Sequence, residues 1–273
     1  SGSVTIDGNS YLLDLGTTGS IILERGAHVE FKNILLHHLS RKNRLTCLDN
    51  NCKIILNQAC ILLNDNYLFE TGGICVSQDS SIGMIDGLDT TYTFSYASTQ
   101  TSTIDTFCKL TIAEGINFSI GRQNSTITNP AMQPLIFTNP TTSKLVLDGG
   151  TLHITSSGMI LTKGTLQVSD SSFLEIENPT FPYGLILGDG TPSNDCKLEL
   201  EPGVLLTLKS GKLFYNNYAD NRLVFASPES NFAIEQTDGL TLLKNLTMIK
   251  GSVSTPYSIL RPIGITGSVI FFT

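Results

Sequence analysis

The stretch Lys144-Leu-Val-Leu-Asp-Gly-Gly-Thr-Leu-His-Ile154 sets a pattern that recurs along most of this sequence. It contains two short segments in which every second residue is apolar, and a Gly-Gly step lies between them. Because the side chains of a strand alternate between its two faces, Leu145 and Leu147 share one face of a first strand, and Leu152 and Ile154 share one face of a second. The pattern therefore predicts two strands joined by a tight corner.

The same pattern returns eight more times, with four to six residues between the two apolar pairs. The copies are Val4/Ile6 with Leu13/Leu15, Ile21/Leu23 with Val29/Phe31, Ile54/Leu56 with Ile61/Leu63, Ile74/Val76 with Ile82/Met84, Leu110/Ile112 with Phe118/Ile120, Leu166/Val168 with Leu174/Ile176, Leu198/Leu200 with Leu206/Leu208, and Leu223/Phe225 with Phe232/Ile234. Strands and corners that repeat without a helical pattern between them predict an all-β fold, a single parallel β-helix (β-solenoid) with side loops. Leu147, Ile112 and Leu200 are then predicted to lie in apolar ladders inside the coil.

The corners carry their own signal. Glu24-Arg25-Gly26, Ala113-Glu114-Gly115 and Glu201-Pro202-Gly203 each place glycine third, where a type II turn requires a positive φ. Pro202 occupies the position at which that turn favours the fixed φ of proline. We therefore predict type II turns at these corners.

The repeat runs from residue 4 to residue 234, which favours one elongated domain over residues 1–273. The copies are spaced near 20 or near 34 residues apart, and the longer spacings predict loop excursions near 86–106, 121–143 and 179–195.

Residues 32–46 hold a basic patch that suits either a short amphipathic helix or a strand with a polar loop. The chain opens on Ser1-Gly2-Ser3 and stops inside a strand-like segment, so we expect a fragment or mature piece of a longer chain.

Composition narrows the classes of function. Apolar residues make up 40% of the chain, charged residues 15%, and the net charge is −7. A nucleic-acid-binding surface requires clustered Lys and Arg, so the acidic balance argues against that partner. No run of about 18 apolar residues occurs, and a membrane-spanning segment is therefore not predicted.

The six cysteines do not have the spacing of a zinc site, and neither do the four histidines, of which two are adjacent as His37-His38. Cys52, Cys108 and Cys196 each precede a lysine at the same point of the repeat, which predicts inward, buried thiols. The disulfide state remains open, because Cys47 with Cys52 and Cys60 with Cys75 are alternative pairings that sequence cannot decide. No metal site and no cofactor are predicted.

No catalytic cluster stands out among the outward strand positions, which hold Glu30, Thr111, His153, Gln167, Glu175, Glu199 and Thr207. A carboxylate pair for acid-base work on a sugar chain requires Glu175 and Glu199 to lie side by side. Asp86, Asp89 and Asp105 flank the first loop but lack the close spacing of a calcium loop. We therefore assign no catalytic residue and do not predict an enzyme.

The two ends of the chain resemble each other, since Gly2-Ser3-Val4-Thr5-Ile6 is matched by Gly267-Ser268-Val269-Ile270-Phe271. Each end is predicted to present an open rung of strand, whose unpaired backbone groups invite another strand. The first predicted partner is therefore a second copy of the chain, stacked end to end through the terminal strands.

Alternating apolar pairs with Pro-Gly or x-Gly corners and Ser/Thr/Asn-rich faces resemble the right-handed parallel β-helix superfamily, and within it the surface passengers and adhesins of bacteria. That resemblance implies an extracellular or cell-surface protein. We predict a rigid, non-enzymatic module of a filament or adhesin, with surface glycans or a host-cell surface as further partners, or a simple spacer stalk. The alternative, implied by pectate lyases, polygalacturonases and phage tailspikes of the same superfamily, is carbohydrate binding or cleavage in a groove walled by the loops at 86–106 and 121–143.

Overall fold

The computed structural model describes residues 2–40, 45–85, 90–121, 134–178, 183–191, 194–216, 223–227, 229–235, 239–242, 248–250 and 260–262. These residues form strands, turns and irregular segments without a helix, and the ladders between their strands are parallel. Accordingly, this part of the chain holds no helix that is long and apolar enough to cross a membrane. The all-β prediction is confirmed.

The strands form curled sheets, and the largest of them has 13 strands. The first sheet contains β1 (Ser3–Asp14), β3 (His28–Leu39), β5 (Lys53–Leu63), β7 (Gly73–Val76), β8 (Ser80–Met84), β10 (Ser102–Ile104), β11 (Lys109–Ala113), β13 (Leu135–Phe137), β14 (Lys144–Asp148), β17 (Gly164–Asp170), β20 (Cys196–Leu200), β23 (Leu223–Phe225) and β26 (Met248–Lys250). The second contains β6 (Tyr67–Phe69), β9 (Tyr92–Tyr96), β12 (Ile116–Ile120), β15 (Thr151–Ile154), β18 (Ser172–Ile176), β21 (Leu205–Ser210), β24 (Asn231–Ile234) and β27 (Leu260–Pro262). The third contains β16 (Met159–Leu161), β19 (Leu185–Leu187), β22 (Lys212–Tyr215) and β25 (Gly239–Leu242), and a two-stranded sheet joins β2 (Ile21–Leu23) to β4 (Leu45–Cys47).

From β14 onward the chain visits the sheets in a fixed order, which we call a circuit. It passes through the first sheet, then the second, then the third, and returns to the first one strand further along. Successive circuits stack in register, so that Leu147, Val168, Leu200 and Phe225 form one buried ladder, as predicted for Leu147 and Leu200. This arrangement is compatible with a β-solenoid.

The N-terminal circuits are built differently, from long strands that bend in the middle. Asn33 and Gln58 have φ of +48° and +53°, and each lies between the two halves of its strand, β3 and β5. Such left-handed residues interrupt the alternation of a strand and change its direction. As a result β5 pairs with β7 through its first half and with β8 through its second, and the first sheet branches there.

Apart from Leu15, which follows the end of β1, the apolar residues of the nine copies lie in strands, but the copies are not equivalent units. Ile54/Leu56 and Ile61/Leu63 lie within the single strand β5, whereas Leu110/Ile112 and Phe118/Ile120 lie in two different sheets. Ile112 also stacks on Ile82, which is in the second half of its own copy. The prediction that each copy is one pair of strands is therefore corrected. Alternation is the same on both sides of every corner, so it does not distinguish a bend within one strand from a step between two sheets.

The predicted loop excursions also contain strands. β9 and β10 lie within 86–106, β13 lies within 121–143, and β19 lies within 179–195. The three-residue strands β10, β13 and β19 are too short to show a full alternating pattern, which explains why they read as loops. Residues 86–89, 122–133, 179–182 and 192–193 lie outside the described residues. Similarly, the basic patch at 32–46 is strand as far as Leu39, and residues 41–44 lie outside the described part.

The corner predictions are confirmed at two of three positions. Gly115 and Gly203 each have φ of +76°, as a type II turn requires at that place. At the first corner Arg25 and Gly26 both have positive φ, at +53° and +69°, which is typical of a type I′ turn instead. The Ala27 N–H donates to the Glu24 carbonyl and closes that turn.

None of the six cysteines, all of which lie in the described part of the chain, forms a disulfide. Cys52, Cys108 and Cys196 are buried, as predicted from their place in the repeat. Cys60 lies opposite Ser81, and Cys75 lies opposite Ile55 and Thr103, so these two thiols belong to different ladders. Burial raises the pKa of Cys47 to about 12 and also raises the pKa of Cys108, which leaves both thiols protonated and unreactive at neutral pH.

Candidate functional site

The edge of β1 is an exposed strand edge in the described part of the chain. There β1 pairs with β3 on one side, and no described strand covers its other side. Val4, Tyr11 and Leu12 are 60%, 72% and 54% exposed. This strand therefore combines unpaired backbone groups with apolar side chains at the end of the stack.

A groove of about 930 Å³ follows the outer corner between the first and second sheets. Its lining includes Ala113, Glu114 and Gly115, together with Thr90 and Thr91. Part of the predicted first loop thus lines the groove. Because these residues come from several circuits, the groove runs along the stack and suits an extended ligand better than a compact one.

Phe173, Glu175 and Lys209 form the polar-aromatic end of this groove. Lys209 Nζ lies 3.7 Å from the centroid of the Phe173 ring and 3.3 Å from Glu175 Oε1. Leu174 lies between Phe173 and Glu175 in β18 and points inward, so alternation places Phe173 and Glu175 on the outside. Phe173 stays 36% exposed even under the lysine.

The structure does not bring together Glu175 and Glu199, the two carboxylates that the sequence analysis weighed as a catalytic pair. Glu175 lies in the second sheet opposite His153, whereas Glu199 lies in the first sheet opposite Gln167. Asp105 accepts a contact from the Cys75 thiol, with Sγ 3.5 Å from Oδ2, and Asp86 and Asp89 lie outside the described residues.

The remaining predicted surface residues are spread over both sheets. Thr207 lies opposite Phe173 and is buried, so its predicted exposure is wrong. Thr111 and Gln167 lie on either side of Val146 in one ladder, and Glu30 accepts hydrogen bonds from Thr5 and Asn57. These contacts link neighbouring circuits and do not converge on one point.

His153 joins three circuits through a polar chain. Its Nδ1 lies 3.1 Å from Ser119 Oγ, and its Nε2 lies 3.3 Å from Glu177 Oε1. A hydroxyl, an imidazole and a carboxylate in series are also the parts of a hydrolytic triad. Ser119 is buried, however, so its hydroxyl has no open approach for a substrate carbonyl. We therefore interpret the polar contacts of Ser119, His153 and Glu177 as a link between circuits.

Asp14, His37 and His38 form a cluster at the far end of β1. His38 Nδ1 lies 2.6 Å from Asp14 Oδ1 and 3.0 Å from His37 Nδ1, and all three potential ligand atoms lie within 4.8 Å of one another. The Gly16 N–H donates to Asp14 Oδ1 at 2.7 Å. That backbone hydrogen bond, followed by the one from His38, lowers the pKa of Asp14, so its carboxylate is charged at neutral pH.

No family model, curated protein or solved structure matches this chain. The geometry of these three regions is therefore what any functional proposal has to use.

Sequence reasoning missed Phe173 and the Asp14 cluster, and of these only Phe173 had a signal in the sequence. Phe173 is an aromatic residue at an outward strand position, and such residues merit attention because exposed aromatics often contact ligands. The Asp14 cluster joins two adjacent histidines to a residue one circuit earlier. Spacing rules for metal ligands do not detect such a set, and it is the register of β1 on β3 in the structure that places Asp14 opposite His37.

Proposed function

We propose that this chain is a non-enzymatic structural module, a single β-solenoid that stacks end to end with copies of itself. The observation that carries the proposal is the uncovered edge of β1 with its three exposed apolar residues. The in-register ladders and the continuous core beneath that edge supply the rigidity that a rod requires. A filament or adhesin at the cell surface is the setting that the sequence pattern suggests.

The chemistry of the β1 edge supports association in preference to protection. Natural proteins protect strand edges with lysine, proline or bulges that turn the edge away. β1 contains neither lysine nor proline. A bulge between Asp7 and Tyr11, with positive φ at Asn9 and Ser10, divides it, but the segments on either side keep regular parallel pairing with β3. An incoming strand therefore has two regular segments with which to pair.

The proposed occupant of this edge is the C-terminal segment of a second copy, for which the sequence pattern predicts a strand. Gly267-Ser268-Val269-Ile270-Phe271 repeats the alternation of Gly2-Ser3-Val4-Thr5-Ile6, and it lies outside the described residues. A strand with the same alternation places its apolar side chains over the same core, so the ladder continues from one copy into the next.

Changing Tyr11 and Leu12 together to lysine is expected to abolish stacking. Two charged side chains on this edge lose their hydration when a strand of the next copy covers them, so they remain solvated only in the free state. We expect the unmodified chain to form fibres of uniform width in negative-stain micrographs and to sediment with concentration-dependent mass. We expect the double variant to remain monomeric under the same conditions.

The matched control changes Leu48 and Phe107 to lysine. Both are exposed apolar residues away from β1, at 60% and 79% exposure, so the control adds the same charge and removes a similar apolar area. It should assemble like the unmodified chain. A monodisperse monomer of the unmodified chain over a wide concentration range, or fibres of the edge variant, would refute the stacking proposal.

Carbohydrate recognition in the groove is the second candidate function. Phe173 offers an aromatic surface on which a sugar ring can stack, and Glu175, Thr151 and Asn117 line the same groove with hydrogen-bonding groups. The groove extends along several circuits, which suits a polysaccharide.

Replacing Phe173 with alanine is expected to weaken glycan binding by roughly tenfold or more, since loss of a central aromatic contact commonly costs over 1 kcal/mol. The measurement is binding to a panel of polysaccharides, together with an assay for newly released reducing ends. Phe107→Ala, at an exposed site outside the groove, should leave binding unchanged. If no polysaccharide binds the unmodified chain, or Phe173→Ala binds as tightly, this candidate is wrong.

A further inference from the structure

Two adjacent histidines of β3 point to the same side of the strand, which a regular strand does not allow. β3 carries one extra residue relative to β5 here, because Leu36 pairs with Ile61 and Leu39 pairs with Leu63. His38 has φ of +59°, in the left-handed region. A bulge of this kind redirects a side chain, and bulges are frequent beside functional sites. The extra residue is therefore what aligns the two imidazoles.

The neighbouring strand supplies a carboxylate at the same point. Asp14 lies directly opposite His37 in the parallel ladder between β1 and β3. Its Oδ1 lies 3.9 Å from His37 Nδ1 and 2.6 Å from His38 Nδ1. The Gly16 N–H donates to the same oxygen and holds the carboxylate in this orientation, as outer hydrogen bonds do for metal ligands.

A single proton cannot satisfy the three atoms. His38 Nδ1 carries at most one hydrogen, and it has two close neighbours, Asp14 Oδ1 at 2.6 Å and His37 Nδ1 at 3.0 Å. If that hydrogen forms a linear hydrogen bond to one neighbour, His38 Nδ1 has no second hydrogen to donate to the other neighbour. A cation placed between the three atoms would interact favourably with all of them at once.

The separations of these atoms match a transition-metal site. Zn²⁺ binds imidazole nitrogen and carboxylate oxygen at about 2.0–2.2 Å, and tetrahedral geometry then separates neighbouring ligand atoms by roughly 3.3 Å. The three separations in the cluster, 2.6, 3.0 and 3.9 Å, lie on both sides of that value. Imidazole nitrogen favours zinc, copper or nickel over magnesium or calcium.

We propose that Asp14, His37 and His38 bind one divalent transition-metal ion, with Zn²⁺ the best match to the ligand set. The ion joins β1 to β3 on the outer face of the first sheet, with three protein ligands and room for water or an external ligand. His37 and His38 remain partly exposed, with 19% and 32% of their side-chain surface accessible, so the ion enters from solvent. None of the three residues lines the groove, whereas Asp14 belongs to β1, the strand that carries the proposed stacking edge.

The test uses the full chain, free of any histidine tag and stripped of metal with a chelator. Zn²⁺ binding is measured by competition with a chromogenic chelator, and Co²⁺ serves as a spectroscopic probe of the ligand set. We expect saturation at one ion per chain, and a Co²⁺ spectrum of nitrogen and oxygen ligation without a thiolate charge-transfer band. Zn²⁺ should also raise the melting temperature, since it binds only the folded arrangement.

Three conservative variants locate the site, and a fourth serves as the control. His37→Gln, His38→Asn and Asp14→Asn should each weaken Zn²⁺ binding at least about tenfold. Asn tolerates the left-handed backbone at position 38, so the metal-free melting temperature of that variant should match that of the unmodified chain. His153→Gln removes a histidine that also faces a carboxylate, Glu177, and should bind Zn²⁺ unchanged.

Several outcomes would overturn the assignment. They are the absence of saturable Zn²⁺ binding, undiminished binding by His37→Gln or His38→Asn, a thiolate charge-transfer band that assigns the ion to cysteine, or loss of binding in His153→Gln to the same degree. If His37→Gln fails to fold, the pair of His38→Asn and Asp14→Asn still decides the question.

Discussion

Replacing Leu200 with aspartate is expected to unfold the circuits around β20. Leu200 is 0% exposed and stacks between Val168 and Phe225, which are also buried. A carboxyl group there is surrounded by hydrocarbon and has no hydrogen-bonding partner, which costs several kcal/mol even when the group is protonated. A whole domain is stable by only about 5–15 kcal/mol, so we expect most of the folding cooperativity to disappear.

The measurement is denaturant or thermal unfolding followed by far-UV circular dichroism. Lys144→Ala is the control, since Lys144 is partly exposed on the outer face and its Nζ donates to Gln167 Oε1 at 2.9 Å. That variant should change the free energy of unfolding by about 0.5 kcal/mol or less. Equal losses in the two variants would contradict the assignment of Leu200 to the inside and Lys144 to the outside.

Gly211→Ala is expected to lower the stability of the fold by less than Leu200→Asp but still by a large amount. Gly211 has φ of +75° between β21 and β22, and an added Cβ would lie 2.3 Å from the Ile176 carbonyl oxygen and 2.5 Å from Ile176 Cβ. Neither atom belongs to the flexible end of a side chain, so the backbone of β18 or of the corner must shift. We expect a loss of about 3 kcal/mol or more, which combines left-handed strain with steric overlap.

Gly203→Ala separates these two contributions. Gly203 has nearly the same φ, +76°, but an added Cβ there meets no heavy atom within 4 Å. Its cost should therefore be the conformational part alone, roughly 1–2 kcal/mol. The two variants are compared by their denaturant midpoints, which report stability as long as the dependence of the unfolding free energy on denaturant concentration is unchanged. If Gly203→Ala loses as much stability as Gly211→Ala, steric overlap at β18 is not the cause.

The inward and outward positions of the strands were predictable from sequence, because one buried face requires strict alternation over many circuits. The ladder of Leu145, Leu166, Leu198 and Leu223 follows directly from that rule. The assignment of each strand to a sheet was not predictable, since strands of the first and second sheets obey the same alternation. The third sheet adds a further departure: Ile160, Ile186 and Phe214 are buried on its outer face, where polar residues are expected.

The regions of functional interest were less predictable than the core. Alternation correctly placed Glu175 and His153 on the outside, and their register then made them neighbours. The pairing of His37 with His38 depends on a single extra residue in β3, and one extra residue does not disturb the apolar pattern enough to be detected. Asp14 belongs to a different strand, so only the register between strands reveals its place beside them.

The parallel ladders also constrain how the chain can fold. Each ladder joins residues one circuit apart, such as Leu145 with Leu166, at every level of the stack. The entropic cost of closing each successive loop is therefore set by the length of a circuit and not by the length of the chain, and even a doubled circuit adds only about 0.6 kcal/mol. A chain that emerges from its N-terminus can thus add one layer at a time onto the layer before, and growth does not have to wait for the last residue to appear.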